Sequence, residues 1–265
     1  MQIGTVRTEG FSMDYCRFGN GEKVLVILPG LSVQSVMGLS DAVAEAYRPI
    51  AERYTVYLFD RRSDLPPSYP VREMACDTAE TLRTLGLEDV CLFGASQGGM
   101  IALLIAAEHP GLVGKLVLGS SSARLRDEQC RVLDEWIRLA KSGDREGLNL
   151  SFGREIYPPA VFEQYRDALI AAAGTVTDAD LRRFIALAEG TKGFDALKEL
   201  EKIRCPVLAI GVYEDRVLDA DATMEIAEKL DERTDFRLYM YTGFGHAAFD
   251  TAPDYKERIL RFLDS

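Results

Sequence analysis

The chain has 265 residues, of which 47% are hydrophobic and 28% charged, a balance typical of one compact globular domain. Its formal net charge is −11, from 31 basic and 42 acidic residues. This argues against a nucleic-acid-binding surface, because such surfaces neutralise phosphates with Lys and Arg. No apolar run approaches the roughly 18 residues of a membrane span, and the first residues lack the apolar core of a signal peptide. We therefore expect a cytoplasmic protein whose partner is a small molecule.

The cysteine pattern predicts neither a disulfide framework nor a zinc site. There are five cysteines, an odd number at wide spacing, and only two histidines in the whole chain. Disulfide scaffolds and zinc sites both need closely spaced or paired ligands. We expect buried or unreactive thiols.

Short apolar runs rich in β-branched residues alternate with amphipathic stretches along most of the chain. Strands are predicted at residues 10–17, 24–28, 55–60, 90–93, 115–118, 207–211 and 236–241. Helices are predicted at residues 40–52, 71–85, 97–108, 221–230 and 253–263. Runs such as VLVIL and PVLAI are apolar throughout, as in strands that helices cover on both faces. The pattern predicts an α/β fold with an open, doubly wound, mostly parallel sheet.

Residues 123–203 break this alternation. They show helical periodicity, interrupted by glycines and prolines, and no convincing strand. The segment is too long for a loop, and it is embedded between two predicted strands. We predict a helical cap inserted into one α/β core, which comprises residues 1–122 and 204–265. The cap would lie over the carboxyl edge of the sheet, where α/β proteins bind their ligands.

A strand, a tight turn and a helix meet at Ser96, in the stretch VCLFGASQGGMIALL. Gly-x-Ser-x-Gly at such a turn is typical of a nucleophile elbow, in which Gly94 and Gly98 let the strand and the helix approach closely. A phosphate cradle is disfavoured, because the chain has no Gly-x-Gly-x-x-Gly or Gly-Lys-Ser/Thr and the following helix carries no basic residue. A turn that needs glycine for steric reasons alone is the other alternative. We predict that Ser96 is a nucleophile.

A serine hydroxyl needs a base, usually imidazole. His246 follows the last predicted strand in the glycine-flanked loop YTGFGHAAF, at the sheet edge where Ser96 emerges, and is the predicted general base. His109 ends the helix that begins after Ser96, at the opposite end of that helix. We expect a structural role for His109, such as an interaction with the helix dipole.

The base in turn needs a carboxylate that fixes its tautomer and stabilises the imidazolium. The segment VYEDRVLDAD, directly after the strand ending PVLAIG, supplies Glu214, Asp215, Asp219 and Asp221. We favour Asp215, with Glu214 and Asp219 as alternatives. Helix capping is the structural role open to Asp219 and Asp221.

With the chain order Ser96, Asp215, His246, the sequence resembles the α/β-hydrolase superfamily over nearly its whole length. The matching features are the GASQGG elbow, the helical insertion, EDRV after PVLAIG, and GFGH before the final helix. The resemblance implies an oxyanion hole built from the backbone N–H groups of Leu31 and Gln97. It also implies a serine hydrolase that cleaves an ester, thioester or related acyl bond of a small molecule through an acyl-enzyme, with no metal or cofactor.

Two segments differ from the family pattern. Pro29-Gly30 replaces the His-Gly of many members, and residues 60–67, DRRSDLPP, lack the glycines common there. Arg61 and Arg62 in this segment are either ligands for an anionic substrate group or solvated and ion-paired.

A lyase or carbon–carbon hydrolase using the same triad, and a small-ligand receptor with low turnover, are the alternative functions.

Overall fold

One eight-stranded sheet runs through the protein in the computed structural model, which describes all 265 residues. The strands are β1 (Gln2–Arg7), β2 (Ser12–Phe18), β3 (Lys23–Leu28), β4 (Tyr54–Arg62), β5 (Val90–Ala95), β6 (Val113–Gly119), β7 (Val207–Val212) and β8 (Phe236–Tyr241). They lie in the order β1-β2-β4-β3-β5-β6-β7-β8. The β1–β2 and β2–β4 pairs are antiparallel, and every other pair is parallel. The predicted mostly parallel sheet is confirmed.

Eleven α-helices connect and cover the strands. They are α1 (Ser40–Ala46), α2 (Arg48–Ala51), α3 (Val71–Thr84), α4 (Gln97–Glu108), α5 (Asp127–Ser142), α6 (Arg145–Ile156), α7 (Pro159–Ala173), α8 (Asp178–Glu189), α9 (Asp219–Leu230), α10 (Ala248–Thr251) and α11 (Tyr255–Asp264). Two 3₁₀ segments, Val36–Leu39 and Leu197–Lys202, complete the set. None of the helices combines the length and the apolar character that crossing a bilayer would require.

Helices cover both faces of the sheet because the central strands bury side chains on both sides. In β5, Leu92 packs in a core shared with α3, α4 and α9. Its neighbours Cys91 and Phe93 pack in a second core shared with α2 and α11. Successive residues of a strand face opposite sides, so a strand buried on both faces is apolar throughout, as the sequence pattern indicated.

The structure differs from the sequence prediction at several elements. Strand β1 was not predicted, because it is an edge strand in which Val6 alone is buried, and its hydrophobic signal is weak. The single helix predicted over residues 40–52 is wrong: α1 and α2 are separate helices, with Tyr47 between them and a proline, which lacks an N–H, in the first turn of α2. The helix predicted over residues 253–263 is present as α11, and the short helix α10 before it was not predicted.

Between β6 and β7 the chain forms α5 to α8, one 3₁₀ segment and a single bridge between Arg124 and Asp195. These helices have a hydrophobic core of their own, whose largest members include Trp136 and Phe184. Gly153 was expected to interrupt a helix, yet it lies inside α6. An added methyl group there would come within 2.4 Å of Leu169 Cδ1, so the glycine permits close packing of α6 against α7.

Candidate active site

Ser96 occupies a sharp turn between β5 and α4, with φ 50° and ψ −122°. This backbone conformation costs a non-glycine residue on the order of 1–3 kcal/mol and occurs mostly at functional sites. A methyl group added at Gly94 would lie 2.3 Å from the Gly98 carbonyl oxygen, and one at Gly98 would lie 2.1 Å from Leu28 O. Only glycine permits this approach of strand and helix. The turn therefore has the geometry of a nucleophile elbow.

His246 and Asp215 form a buried pair, with His246 Nδ1 lying 2.7 Å from Asp215 Oδ2. Both side chains are at least 96% buried. The other carboxylate oxygen, Oδ1, accepts the backbone N–H groups of Val217 at 2.8 Å and Leu218 at 3.0 Å. Because a carboxylate accepts the Nδ1 proton, the neutral ring presents Nε2 as its acceptor.

The parallel strand ends bring these residues to one edge of the sheet. Three backbone hydrogen bonds join the ends of neighbouring strands: Ser96 N–H to Gly119 O, Ser120 N–H to Ile210 O, and Tyr213 N–H to Tyr241 O. The structure records no hydrogen bond between the Ser96 hydroxyl and the histidine ring. Such contacts are often long before a substrate binds. The pairing of acid and base is thus present, while the nucleophilic role of Ser96 stays a prediction.

The other acids of this segment make different contacts. Glu214 is exposed, and its Oε2 accepts the Gly243 N–H at 2.7 Å. Asp219 Oδ1 accepts from the Arg126 guanidinium at 2.9 Å and from the Ala222 N–H at 3.1 Å, in the first turn of α9. Neither side chain contacts the histidine. Of these three acids, Asp215 is the one that contacts His246.

Two free backbone donors lie near Ser96 in the chain or beside it in the structure. The N–H groups of Leu31 and Gln97 donate no hydrogen bond to any other group of the protein. The loop before Leu31 lies directly against Ser96, since a methyl group added at Gly30 would be 3.2 Å from Ser96 Cβ. An oxyanion hole needs free, fixed donors of this kind beside the reacting carbonyl. The contacts are compatible with the predicted oxyanion role of both residues.

Arg61 is buried behind this pair of donors. Its Nη2 donates to the Pro29 carbonyl at 2.7 Å and to Gln97 Oε1 at 3.1 Å. Burial lowers the pKa of Arg61 to about 10, so the guanidinium is still charged at neutral pH. Strand β4 extends to Arg62, whose side chain contacts Asp77 and a loop carbonyl. Neither arginine lines the cavity beside Ser96 that is described below. The sequence alone left open whether they bind substrate or are ion-paired.

We expect Arg61→Lys to lower kcat by about tenfold with little change in KM. Both hydrogen bonds come from Nη2, which lies one bond farther from the backbone than a lysine Nζ. The shorter lysine side chain should not reach both acceptors, so the loop and the Gln97 side chain lose a common donor. Arg62→Lys is the matched control, because Arg62 touches neither acceptor, and should keep kcat. Steady-state kinetics on p-nitrophenyl acetate measures both. A rise in KM alone for Arg61→Lys would indicate a substrate contact instead.

Three side-chain hydrogen bonds join α4 and β4 to α8 and the turn that follows it. The Gln97 amide donates to Leu187 O at 3.0 Å and to the Thr191 hydroxyl at 2.6 Å. Asp60, also buried, accepts a hydrogen bond from Arg183 on α8. Sequence reasoning assigned Gln97 a backbone role only, because no local pattern links its side chain to a helix about ninety residues away.

A small cavity of about 30 Å³, partly open to solvent, lies beside Ser96. Its lining combines the Ser96 turn and the Leu31 loop with α5 and the loop that leads to α9. The lining residues are Leu31, Ser96, Gln97, Met100, Leu125, Gln129, Leu133, Trp136, Thr191, Val217 and Leu218. The cavity is mainly apolar and contains no charged side chain.

The two histidines should respond differently to replacement by alanine. His246→Ala should lower kcat on an activated ester by roughly 10⁵-fold or more, because the nucleophile loses its base. His109 lies at the far end of α4 from Ser96, about 18 Å along the helix. Its Nδ1 lies 3.0 Å from the Arg83 guanidinium. Burial and Arg83 lower the pKa of His109. His109→Ala removes the contact with Arg83 and should therefore lower the melting temperature without changing kcat. A large loss of kcat in His109→Ala with little loss in His246→Ala would show that His246 is not the base.

Comparison with known proteins places this geometry in a family. A profile of the alpha/beta hydrolase family matches residues 25–255. The chain is 25% identical, over 250 residues, to an Agrobacterium fabrum protein provisionally named carbamate hydrolase RutD, covering 89% of this chain and 93% of that protein. It is 28% identical to the serine hydrolase BPHL of Mus musculus over 136 residues, 48% of this chain and 45% of BPHL.

Solved structures show the same fold. MGS-M2, an alpha/beta hydrolase enzyme from a Medee basin deep-sea metagenome library, superposes with a TM-score of 0.87 at 22% identity, covering 99% of this chain and 98% of MGS-M2. The enol-lactonase from Burkholderia xenovorans LB400 superposes with a TM-score of 0.83 at 17% identity, covering 99% of this chain and 100% of the enol-lactonase. The resemblance noted in the sequence is thus confirmed: the chain belongs to the alpha/beta hydrolase family and is a hydrolytic enzyme.

Proposed function

We propose that the protein is a serine hydrolase that cleaves an ester, thioester or related acyl bond of a small molecule through an acyl-enzyme. The observation that carries this proposal is the buried Asp215–His246 pair at the sheet edge where the strained Ser96 turn emerges. A base fixed in one tautomer beside a projecting hydroxyl is the arrangement that activates a serine.

The proposed reaction has two halves. Ser96 Oγ attacks the carbonyl carbon while His246 Nε2 takes the hydroxyl proton, and the N–H groups of Leu31 and Gln97 stabilise the oxyanion. The bond to the leaving group breaks as the imidazolium returns the proton to it, leaving an acyl-serine. Water then repeats the sequence: the same base deprotonates it, it attacks the acyl carbonyl, and the serine leaves with the proton.

Helices α5 to α8 are proposed to form a cap over this site. Support comes from the cavity beside Ser96, one wall of which is built by Leu133 and Trp136 of α5. A wall supplied by inserted helices limits the size and polarity of the acyl and leaving groups. The similarity to RutD adds carbamates, whose reacting carbonyl also carries a heteroatom leaving group, to the candidate substrates.

Labelling with diethyl p-nitrophenyl phosphate tests the nucleophile and the chemistry together. The phosphoryl group should add to the Ser96 peptide in one-to-one stoichiometry, found by peptide mass spectrometry, and activity on p-nitrophenyl acetate should fall in parallel. A lyase with the same triad would be labelled but would not release nitrophenol continuously from the ester. A receptor would release at most one equivalent. Labelling at another residue, with activity lost, would contradict the proposed nucleophile.

A further inference from the structure

One hydrogen-bond donor in the cavity wall has no acceptor in the protein. Trp136 lines the cavity beside Ser96 and is 97% buried, and its indole Nε1–H makes no hydrogen bond. A buried tryptophan N–H normally finds a partner, and an unsatisfied buried donor costs about 1–3 kcal/mol. An acceptor supplied by a bound molecule would remove that cost.

The other polar side chains of the lining, apart from the nucleophile, already have partners in the protein. Gln97 accepts from Arg61 and donates twice, to α8 and to Thr191. The Thr191 hydroxyl donates to a carbonyl of α8. Gln129 accepts the Arg126 N–H and donates to the Leu218 carbonyl. Among the side-chain donors of the lining residues, the Ser96 hydroxyl and the indole N–H are therefore the ones that make no hydrogen bond within the protein.

The aromatic ring that carries this donor is held in place by neighbouring aromatic side chains. The centroids of Trp136 and Phe152 are 4.4 Å apart, and Phe152 meets Phe184 edge-on at 6.4 Å. A donor fixed before binding loses little conformational freedom when a ligand arrives. The N–H can thus contribute to selectivity as well as to affinity.

The surroundings select a neutral acceptor. The cavity lining has no charged side chain, and the Arg61 guanidinium lies behind Gln97, bonded to it. A carboxylate or phosphate in this apolar space would lose its hydration without a cation to replace it, which is costly. An ether, ketone, amide or carbamate oxygen needs only a neutral donor.

We propose that the Trp136 N–H donates a hydrogen bond to a neutral oxygen of the substrate other than the reacting carbonyl. This inference rests on the proposed function, since it takes the cavity as the site of an acyl substrate. The enzyme then prefers substrates with a second, uncharged acceptor over hydrocarbon analogues of the same size.

Matched esters test this preference. p-Nitrophenyl 3-methoxypropanoate and p-nitrophenyl pentanoate differ by one oxygen in place of a methylene, and methoxyacetate and butanoate form a second pair with the oxygen one position closer. In at least one pair, the ratio of kcat/KM for the ether ester to that for the alkyl ester should fall about fivefold to tenfold in Trp136→Phe, the effect of losing one hydrogen bond. Intrinsic ester reactivity cancels because ratios are compared between proteins.

Leu133→Met is the control variant. It alters the same cavity wall at nearly constant volume and keeps the indole, so any change in rate should affect both esters of a pair alike. Unchanged ratios in Trp136→Phe for both pairs would overturn the proposal. So would an equal fall in Leu133→Met, because the effect would then come from cavity shape.

Binding to the Ser96→Ala protein provides a readout that needs no turnover. Trp136 is the only tryptophan of the chain, so tryptophan emission reports on this indole alone. Methyl 3-methoxypropanoate should shift the emission to longer wavelength and bind about fivefold more tightly than methyl pentanoate. Equal responses to both ligands would overturn the assignment of Trp136. If the Ser96→Ala protein shows the predicted emission shift but the wild-type protein hydrolyses no ester, the proposed hydrolysis is overturned. The assignment of Trp136 as a hydrogen-bond donor to the ligand would then stand.

Discussion

Replacing Ser96 with alanine should lower kcat on p-nitrophenyl acetate by on the order of 10⁶-fold, because the covalent step is lost and only binding and oxyanion stabilisation are left. The fold should be intact, since alanine removes one oxygen atom from a side chain that forms no hydrogen bond through its hydroxyl. Far-ultraviolet circular dichroism and the melting temperature check the fold, and stopped-flow absorbance measures the residual rate.

Ser120→Ala is a closely matched control. Ser120 follows the neighbouring strand β6, also has a positive φ, of 42°, and has a buried hydroxyl without a hydrogen-bond partner. Both substitutions therefore remove the same atom in a similar backbone conformation, and Ser120→Ala should keep kcat within about twofold. Full activity in a folded Ser96→Ala protein, or an equal loss in Ser120→Ala, would exclude Ser96 as the nucleophile.

Replacing Asp215 with asparagine should lower kcat by about 10⁴-fold near neutral pH. The two N–H groups at Val217 and Leu218 already bind one carboxylate oxygen, Oδ1. In the variant this position selects the amide oxygen, so the NH₂ group faces His246 Nδ1. Nδ1 must then accept a hydrogen bond, which places the ring proton on Nε2, where a base for the serine is needed.

Glu214→Gln should change kcat by less than about threefold, because its side chain is exposed and contacts the loop backbone rather than the imidazole. The pair of variants compares adjacent residues that each exchange a carboxylate for an amide. A severe loss for Glu214→Gln with a mild loss for Asp215→Asn would move the acid by one residue. Mild losses for both would exclude a carboxylate-oriented base at this position.

Much of the site could be predicted because its signals are local in the sequence. The Ser96 turn is encoded within five residues, and the histidine and the aspartate each follow a recognisable apolar strand. Parallel strands then bring separate loops to one sheet edge without any further information. The same reasoning could not find β1, because an exposed edge strand buries too few side chains to leave a hydrophobic pattern.

Arg61 and Trp136 could not be placed from the sequence for a different reason. Arg61 follows an apolar strand and was expected to be solvated or substrate-binding, yet it is buried because two acceptors from distant segments surround it. Trp136 belongs to an amphipathic helix whose apolar face predicts burial only. Its position in the lining of the cavity beside Ser96, forty residues earlier in the chain, depends on how α5 packs over the sheet, which no local pattern encodes.

The buried contacts at Asp60 and Gln97 affect how this protein can be recombined with its relatives. A chimera that replaces residues 123–203 with a segment lacking counterparts of Arg183 and Thr191 would remove the Arg183 partner of Asp60 and the Thr191 acceptor of the Gln97 amide. Asp60 would keep the Ser35 hydroxyl and the Arg61 backbone N–H as donors, but it would lose a largely buried ion pair, and breaking such a pair is destabilising. Exchange of the helical segment alone would thus destabilise the fold, whatever new specificity the segment carried. Productive chimeras would have to transfer the residues at positions 60, 61 and 97 together with the helices.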